Sequence, residues 1–167
     1  MNSIEKIEFE SKDKFYDYLN MMLTALISEE PDWLANLSNA AAVLWLLLDD
    51  INWSGFYLYK NNELVLGPFQ GKPACTHIKT GKGVCGTAAD TKETQLVKNV
   101  HEFPGHIACD SDSNSEIVIP IVKGVRLIGV LDIDSPVLDR FDEKDKEYLE
   151  KFVSILVKYV NFPDSFI

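Results

Sequence analysis

Two pairs of β-prone segments, each joined by a short turn, constrain the fold of this chain more than any other feature. Residues 53–60 (WSGFYLYK) and 63–66 lie on either side of Asn61-Asn62, and residues 116–121 and 125–134 lie on either side of Lys123-Gly124. Runs of β-branched and aromatic residues separated by Asn or Gly are typical of β-hairpins. Because the two strands of a hairpin are antiparallel, the sequence predicts a central antiparallel sheet.

Segments with helical periodicity flank the hairpins. Apolar residues recur every three or four positions over 15–27, which predicts a helix with one buried stripe. A second helix is expected over 32–48, with Asp32 as its N-terminal cap. A short helix is predicted over about 84–90 and a long C-terminal helix over about 142–160.

The remaining residues indicate loops, and no linker divides the chain. Residues 67–83 are rich in Gly and Pro and residues 101–114 are polar, so both segments are expected to be mainly loop. The element order predicts a single α+β domain over residues 1–167, with the helices gathered on one face of the sheet. Within this domain, the N-terminal helices occupy about 11–48, the sheet and site loops about 52–135, and the C-terminal helix about 142–160.

The charge and the apolar stretches exclude several classes of protein. The 167-residue chain has a formal net charge of −10, which argues against binding nucleic acid, since a phosphate backbone needs clustered Lys and Arg. The most apolar stretch, residues 33–48, has 16 residues and falls short of the ~20 that span a bilayer. The charged N-terminus lacks the apolar core of a signal peptide. We therefore expect a cytoplasmic protein with no membrane partner, whose cysteines are thiols at rest.

Three cysteines are candidates for redox chemistry. Cys109 precedes Asp110-Ser111-Asp112 in a polar loop, where a reactive role is favoured over that of an ordinary loop residue. Cys85 lies near a predicted helix start, where the helix dipole and Lys82 are expected to lower the pKa of its thiol; packing against the sheet is the alternative. Cys75 would supply the second thiol that a dithiol mechanism requires.

Acidic residues at the end of a buried strand form a second candidate feature. Asp132 and Asp134 follow the apolar run LIGVL two residues apart, so both side chains project from one face of the strand. Glu116 begins the neighbouring strand of the same hairpin and could reach them. Several carboxyl groups this close cannot all ionise cheaply, so at least one pKa should rise and provide a proton donor near neutral pH. The alternative is that these acids lie at a strand end exposed to solvent. Trp53, at the start of the first predicted strand, could either line a pocket or belong to the core.

Two further features concern possible ligands. The predicted helix start at Gly83, Val84 and Cys85 offers backbone N–H groups to a carboxylate. The fragments Cys75-Thr76-His77 and 106–109 (HIAC) contain metal-ligating residues, but their spacing fits the paired ligands of a zinc site only loosely. We expect neither a metal nor an organic cofactor.

Five segments of the chain together resemble the free methionine-(R)-sulfoxide reductases, a family of enzymes that consist of a single GAF domain. The segments are NWSGFY (52–57), GPFQGKPACTHI (67–78), GKGVCGTAA (81–89), HIACDSDSNSEIVIPI (106–121) and GVLDIDSP (129–136). The three cysteines, 10 and then 24 residues apart, also match that family. The resemblance covers about residues 30–160 and implies a GAF domain with a central antiparallel sheet flanked by helices, and a homodimer.

The resemblance also assigns roles to the cysteines. Cys109 matches the attacking thiol, and Cys75 matches the cysteine that forms a disulfide with it. Cys85 matches a third cysteine that is an alternative catalytic thiol. The implied reaction reduces free L-methionine-(R)-sulfoxide to L-methionine through a cysteine sulfenic acid and an intramolecular disulfide, which a thioredoxin-type reductant reopens.

The acids and the tryptophan receive roles in the same way. Glu116, Asp132 and Asp134 match the acids around the sulfoxide and amino groups of the substrate, and Trp53 matches the aromatic residue beside the S-methyl pocket. Gly83 and Val84, at the predicted helix start, would face the substrate carboxylate. The alternative to this enzyme is a non-enzymatic GAF domain that binds a small molecule as a sensor.

Overall fold

A six-stranded antiparallel sheet forms the centre of the protein. The computed structural model describes residues 8–107 and 110–166. The strands are β1 (Trp53–Lys60), β2 (Glu63–Gly71), β3 (His77–Lys79), β4 (Gln95–Val97), β5 (Ser115–Lys123) and β6 (Arg126–Ser135), in the spatial order β3-β2-β1-β6-β5-β4. The helices are α1 (Lys12–Ile27), α2 (Trp33–Leu47), α3 (Gly83–Thr91) and α4 (Glu143–Tyr159), with a 3₁₀ turn over Val100–Glu102.

Both predicted hairpins are present and supply the four central strands. β1 pairs with β2, β5 pairs with β6, and antiparallel pairing of β1 with β6 joins the two hairpins. The second turn is at Gly124-Val125 rather than Lys123-Gly124, since β5 continues through Lys123. The α+β class predicted from the element order is confirmed.

The expectation that residues 67–83 are mainly loop is wrong in part. β2 continues to Gly71, and β3 pairs with it through His77, Ile78 and Lys79. β4, which pairs with β5, was not predicted at all. In both places the hydrogen bonds of a neighbouring strand outweigh weak local β-propensity, which the sequence pattern alone does not reveal.

The sheet separates two hydrophobic cores. α1, α2 and α4 cover one face, and Phe56 and Leu131 are buried there. α3 packs on the opposite face, where Tyr57 and Val130 belong to the second core. The prediction that the helices gather on one face is therefore wrong for α3, because its apolar side chains are buried by crossing to the other side of the sheet. No described helix is both long and apolar enough to cross a membrane.

A buried carboxylate fastens the N-terminal helix to the C-terminal one. Asp145, with no exposed surface, accepts a hydrogen bond from the Tyr16 hydroxyl at 2.6 Å and from Lys12 Nζ at 2.7 Å. It also forms a capping box with Asp142 at the start of α4. These contacts satisfy a charge that would otherwise be costly to bury.

We expect Tyr16→Phe to lower the free energy of unfolding by about 1–3 kcal/mol, because a buried carboxylate oxygen would lose its donor. Tyr148→Phe is the matched control: its ring stacks on that of Tyr16 at 5.1 Å, and its hydroxyl donates to the more exposed Asp13 at 2.8 Å. There water can replace the lost bond, so the cost should stay below about 1 kcal/mol. Urea unfolding measures both values, and equal losses would contradict the assignment.

Candidate active site

The register of the central strands brings three of the predicted residues into one row on the α3 face. Trp53 in β1 is paired with Asp134 in β6, and Asp134 is paired with Glu116 in β5. Asp132 lies two residues before Asp134, so its side chain projects from the same face. The hairpin therefore places the three acids side by side, as the sequence predicted.

Helix α3 closes this face and contributes the thiol of Cys85. Cys85 Sγ donates to Asp132 Oδ2 at 3.2 Å and lies 4.0 Å from Glu116 Oε1. Cys85, Glu116 and Asp132 are 4–6% exposed and line one cavity together with Trp53 and Asp134. The predicted acidic cluster thus surrounds a buried cavity rather than a solvated strand end.

Burial raises the pKa values of all three acids. The pKa of Asp132 rises to about 7, mainly through desolvation, although the hydrogen bond from Cys85 opposes the rise. Desolvation, followed by the charges of the neighbouring acids, raises the pKa values of Glu116 and Asp134 well above their usual range. The cavity therefore contains carboxyl groups that remain protonated closer to neutral pH, as general acid catalysis requires.

The predicted lowering of the Cys85 pKa is wrong. Desolvation, followed by the charges of Asp132 and Glu116, raises the pKa of the Cys85 thiol well above its ordinary value. Lys82, which was expected to favour the thiolate, is exposed at the N-cap of α3. Proximity to a helix start is outweighed here because the thiol lies among buried acids.

Asp110 lies at the edge of the same cavity, and its pKa is shifted in the opposite direction from those of the three buried acids. Its carboxylate accepts a hydrogen bond from the backbone N–H of Asp112 at 3.0 Å, and the Lys72 ammonium lies 3.5 Å away. Asn52 Nδ2 donates to it at 3.2 Å. These partners lower the pKa of Asp110 and favour its carboxylate form, in contrast to the three buried acids.

The start of α3 forms another wall of the cavity. Gly83 and Val84 are buried and line it, as predicted. The N-cap residue Lys82 makes no side-chain capping hydrogen bond, so its side chain does not occupy the first-turn N–H groups, which are suited to an anionic group. Ile107 packs against this end: a Cβ added to Gly83 would lie 3.1 Å from Ile107 Cγ1.

Of the remaining two cysteines, the structure describes Cys75 but not Cys109. Cys75 is half-buried and disulfide-bonded, and its carbonyl accepts a hydrogen bond from the Tyr57 hydroxyl at 3.1 Å. Cys109 lies outside the described residues. Its described sequence neighbours Ile107 and Asp110 both line the cavity.

Among the described residues, the zinc ligands considered from the sequence are not gathered at one point. His77 is exposed on β3 and lies against Glu63, with 2.9 Å between Nδ1 and Oε1. His106 does reach the cavity, where its Nε2 is 3.9 Å from Glu116 Oε2. Within the described ranges, the potential metal-binding group is instead Cys85, Glu116 and Asp132, whose ligand atoms lie within 4.8 Å of one another.

Sequence reasoning missed Tyr57 and Asn52 as parts of the site. Tyr57 is 1% exposed, lines the cavity and stacks on Trp53 with 5.8 Å between ring centroids. Its position could have been inferred, because it lies four residues after Trp53 and strand side chains alternate between faces. Asn52 precedes the strand, and no local signal indicates its bonds to Asp110 and to Ser113 at 3.0 Å.

Comparison with known proteins shows the same domain and close relatives. Residues 27–158 match the GAF domain family. The free methionine-R-sulfoxide reductase of Escherichia coli is 50% identical over 92% of this chain and 93% of its own length. The Saccharomyces cerevisiae enzyme of the same name is 47% identical over 89% of this chain and 87% of its own.

A solved structure extends the likeness to three dimensions. The free methionine-R-sulfoxide reductase of Neisseria meningitidis, in complex with its substrate, superposes with a TM-score of 0.86 at 44% identity. The match covers 93% of this chain and 95% of that one.

The environment of Cys85 has a measurable consequence. Because its pKa is raised and its side chain is buried, we expect iodoacetamide to label Cys85 very slowly in the folded protein until the pH is well above 8.5, the usual value of a free thiol. Mass spectrometry of the Cys85 peptide measures the labelling, and the urea-unfolded protein serves as the control. A labelling midpoint below about pH 8 in the folded protein would contradict the raised pKa.

Proposed function

We propose a residue-level mechanism for this chain, which belongs to the GAF-domain family of free methionine-R-sulfoxide reductases and is an enzyme that reduces free methionine-R-sulfoxide to methionine. One observation carries the proposal: Glu116, Asp132 and Asp134 converge on one cavity beside Trp53. The relatives named as reductases support this enzyme over a non-enzymatic sensor.

The chemical step requires a thiolate and an acid on opposite sides of the sulfoxide. Cys109 attacks the sulfoxide sulfur while a carboxyl group of the cluster protonates the oxygen. Methionine leaves, and Cys109 becomes a sulfenic acid that retains the oxygen atom. Cys109 is assigned the attack because the neutral, buried thiol of Cys85 is a weak nucleophile.

A second thiol then removes the oxygen as water. The thiol of Cys75 condenses with the sulfenic acid, and a disulfide and one water molecule are formed. A thioredoxin-type dithiol reduces this disulfide by exchange and is itself oxidised. The disulfide-bonded state and partial exposure of Cys75 support this role; Cys85, buried and hydrogen-bonded to Asp132, is the less accessible alternative.

The charged ends of a free amino acid explain the choice of substrate. In the described part of the chain, no Lys or Arg nitrogen pairs with Glu116 or Asp132. The ammonium group of the substrate can therefore serve as the positive partner of these two acids, which form the acidic wall of the cavity. Gly83 and Val84 at the start of α3 line the same cavity, and we assign their backbone N–H groups to the substrate carboxylate. Trp53, stacked on Phe69 at 5.2 Å and 2% exposed, provides an apolar wall for the S-methyl group.

The cellular compartment and the oligomeric state are also part of the proposal. We place the enzyme in the cytoplasm as a homodimer. Exposed apolar side chains on α1 and α2, among them Met21, Leu34 and Trp45, are 57%, 49% and 41% exposed and would be covered in such a dimer.

The first test separates the roles of the cysteines. Cys109→Ser should abolish turnover, including one stoichiometric reduction, because no sulfur remains to attack the sulfoxide. Cys75→Ser should complete one reduction and then recycle poorly with thioredoxin. Quantifying methionine released per enzyme with and without reductant measures both. Full single-turnover activity in Cys109→Ser would transfer the attacking role to Cys85.

The second test concerns the proton. Glu116→Gln, Asp132→Asn and Asp134→Asn should each slow the sulfoxide step, and loss of the general acid itself should cost about 10²–10⁴-fold. Asp112→Asn is the control, because Asp112 is exposed and outside the cavity. Rapid-quench single-turnover rates within twofold of wild type for all three variants would refute acid catalysis by this cluster.

The third test concerns the charges of the substrate. Free L-methionine-(R)-sulfoxide should be reduced, whereas the N-acetyl amide and oxidised protein should react little. Each buried polar group left without its partner costs about 1–3 kcal/mol. Losing two such contacts should lower kcat/KM by roughly 30- to 10⁴-fold. Equal kcat/KM for the free and doubly blocked substrates would show that the charges are not recognised.

A further inference from the structure

The cavity offers a set of metal-donor atoms that joins the acids Glu116 and Asp132 to the thiol of Cys85, which the proposed reaction does not use. Cys85, Glu116 and Asp132 offer one sulfur and two carboxylate oxygens, all within 4.8 Å of one another. Zn²⁺ binds sulfur at about 2.3 Å and oxygen at about 2.0–2.2 Å, which places tetrahedral S and O ligands about 3.5 Å apart. The observed separations from Cys85 Sγ, 3.2 Å to Asp132 and 4.0 Å to Glu116, bracket this value.

A buried carboxylate oxygen without a hydrogen-bond partner in the described part of the chain lies in the same group of residues. Asp132 is 6% exposed, and its Oδ1 is buried without a hydrogen-bond partner among residues 8–107 and 110–166. A buried carboxylate oxygen without a donor is costly and is expected to find a partner. His106, whose Nε2 is 3.9 Å from Glu116 Oε2, borders the same space and could provide a fourth ligand; a water molecule could fill that position instead.

We propose that Cys85, Glu116 and Asp132 bind a zinc ion that competes with the ammonium group of the substrate. Thiolate, imidazole and carboxylate ligands together favour Zn²⁺ over Mg²⁺ or Ca²⁺, which prefer oxygen alone. Binding releases the Cys85 proton to solvent, and no redox change accompanies it. The ion inhibits the enzyme, since metal and ammonium need the same carboxylates; this competition rests on the proposed function.

The test uses Co²⁺ as a spectroscopic substitute for zinc in the full-length Cys75→Ser/Cys109→Ser protein. The chain has three cysteines, so Cys85 is then the only thiol. We expect one Co²⁺ per chain, a thiolate-to-cobalt charge-transfer band, and displacement by equimolar Zn²⁺. Absence of the band, or its persistence after the further change Cys85→Ser, would overturn the site.

Variants of the acids locate the remaining ligands. Glu116→Gln and Asp132→Asn should each weaken Co²⁺ binding by at least about tenfold, because loss even of a residue that only hydrogen-bonds a metal ligand typically costs 10–100-fold. Asp134→Asn is the matched control: Asp134 lines the cavity, but among the described residues it belongs to no ligand group and hydrogen-bonds none of the three ligands, so the Co²⁺ affinity of this variant should stay within about threefold. Equal losses in all three variants would overturn the assignment, because a nonspecific charge effect would explain them.

Competition with amino acids separates this inference from the proposed function. L-Methionine should weaken Co²⁺ binding more than glycine, which chelates free Co²⁺ in the same way but lacks the side chain, whereas N-acetyl-methionine, which lacks the ammonium group, should not weaken it. A cobalt band that methionine leaves unchanged would overturn the competition and the proposed pairing of the acids with the ammonium, while the metal site itself would be supported. Failure of the band with normal methionine binding would overturn the metal site alone.

Discussion

Two buried carboxyl groups, Glu116 and Asp132, lie beside the buried thiol of Cys85. Desolvation disfavours the charged forms of all three groups, and within the described ranges no Lys or Arg pairs with either acid. Such a cluster persists only because the sheet beneath it and the helix above it are held by other contacts. The cost of burying these groups is therefore linked to the chemistry of the site, since the same desolvation keeps protons near the cavity and favours an incoming cation.

The opposite face of the sheet supplies that support. Side chains alternate along β1, β5 and β6, so each strand contributes to the large core under α1, α2 and α4 and to the site under α3. Phe56 and Leu131 are fully buried in the large core, while their neighbours Tyr57 and Asp132 face the cavity. Rigid strands anchored on one side thus position polar groups on the other.

Cys75 and Asp110 lie in loops, whereas Glu116, Asp132 and Asp134 lie in strands of the central sheet. Cys75 lies between β2 and β3, and the Tyr57 hydroxyl bonds its carbonyl at 3.1 Å. Asp110 is tied to Asn52, which directly precedes β1. Loops attached to a rigid sheet suit the proposed reaction, in which one sulfur attacks and then meets another, and a strand gives the proposed proton donor a fixed position.

The sequence by itself determined the features that depend on neighbouring residues. Turn residues and alternating apolar positions identified both hairpins, and the spacing of Asp132 and Asp134 with Glu116 on the partner strand identified the acidic cluster. Only the tertiary structure decided which face α3 covers, that β3 and β4 pair at the edges of the sheet, and that the Cys85 thiol is buried among acids. The reason is physical: helix dipoles and turn propensities act within a few residues, whereas desolvation depends on groups that the fold brings together from distant parts of the chain.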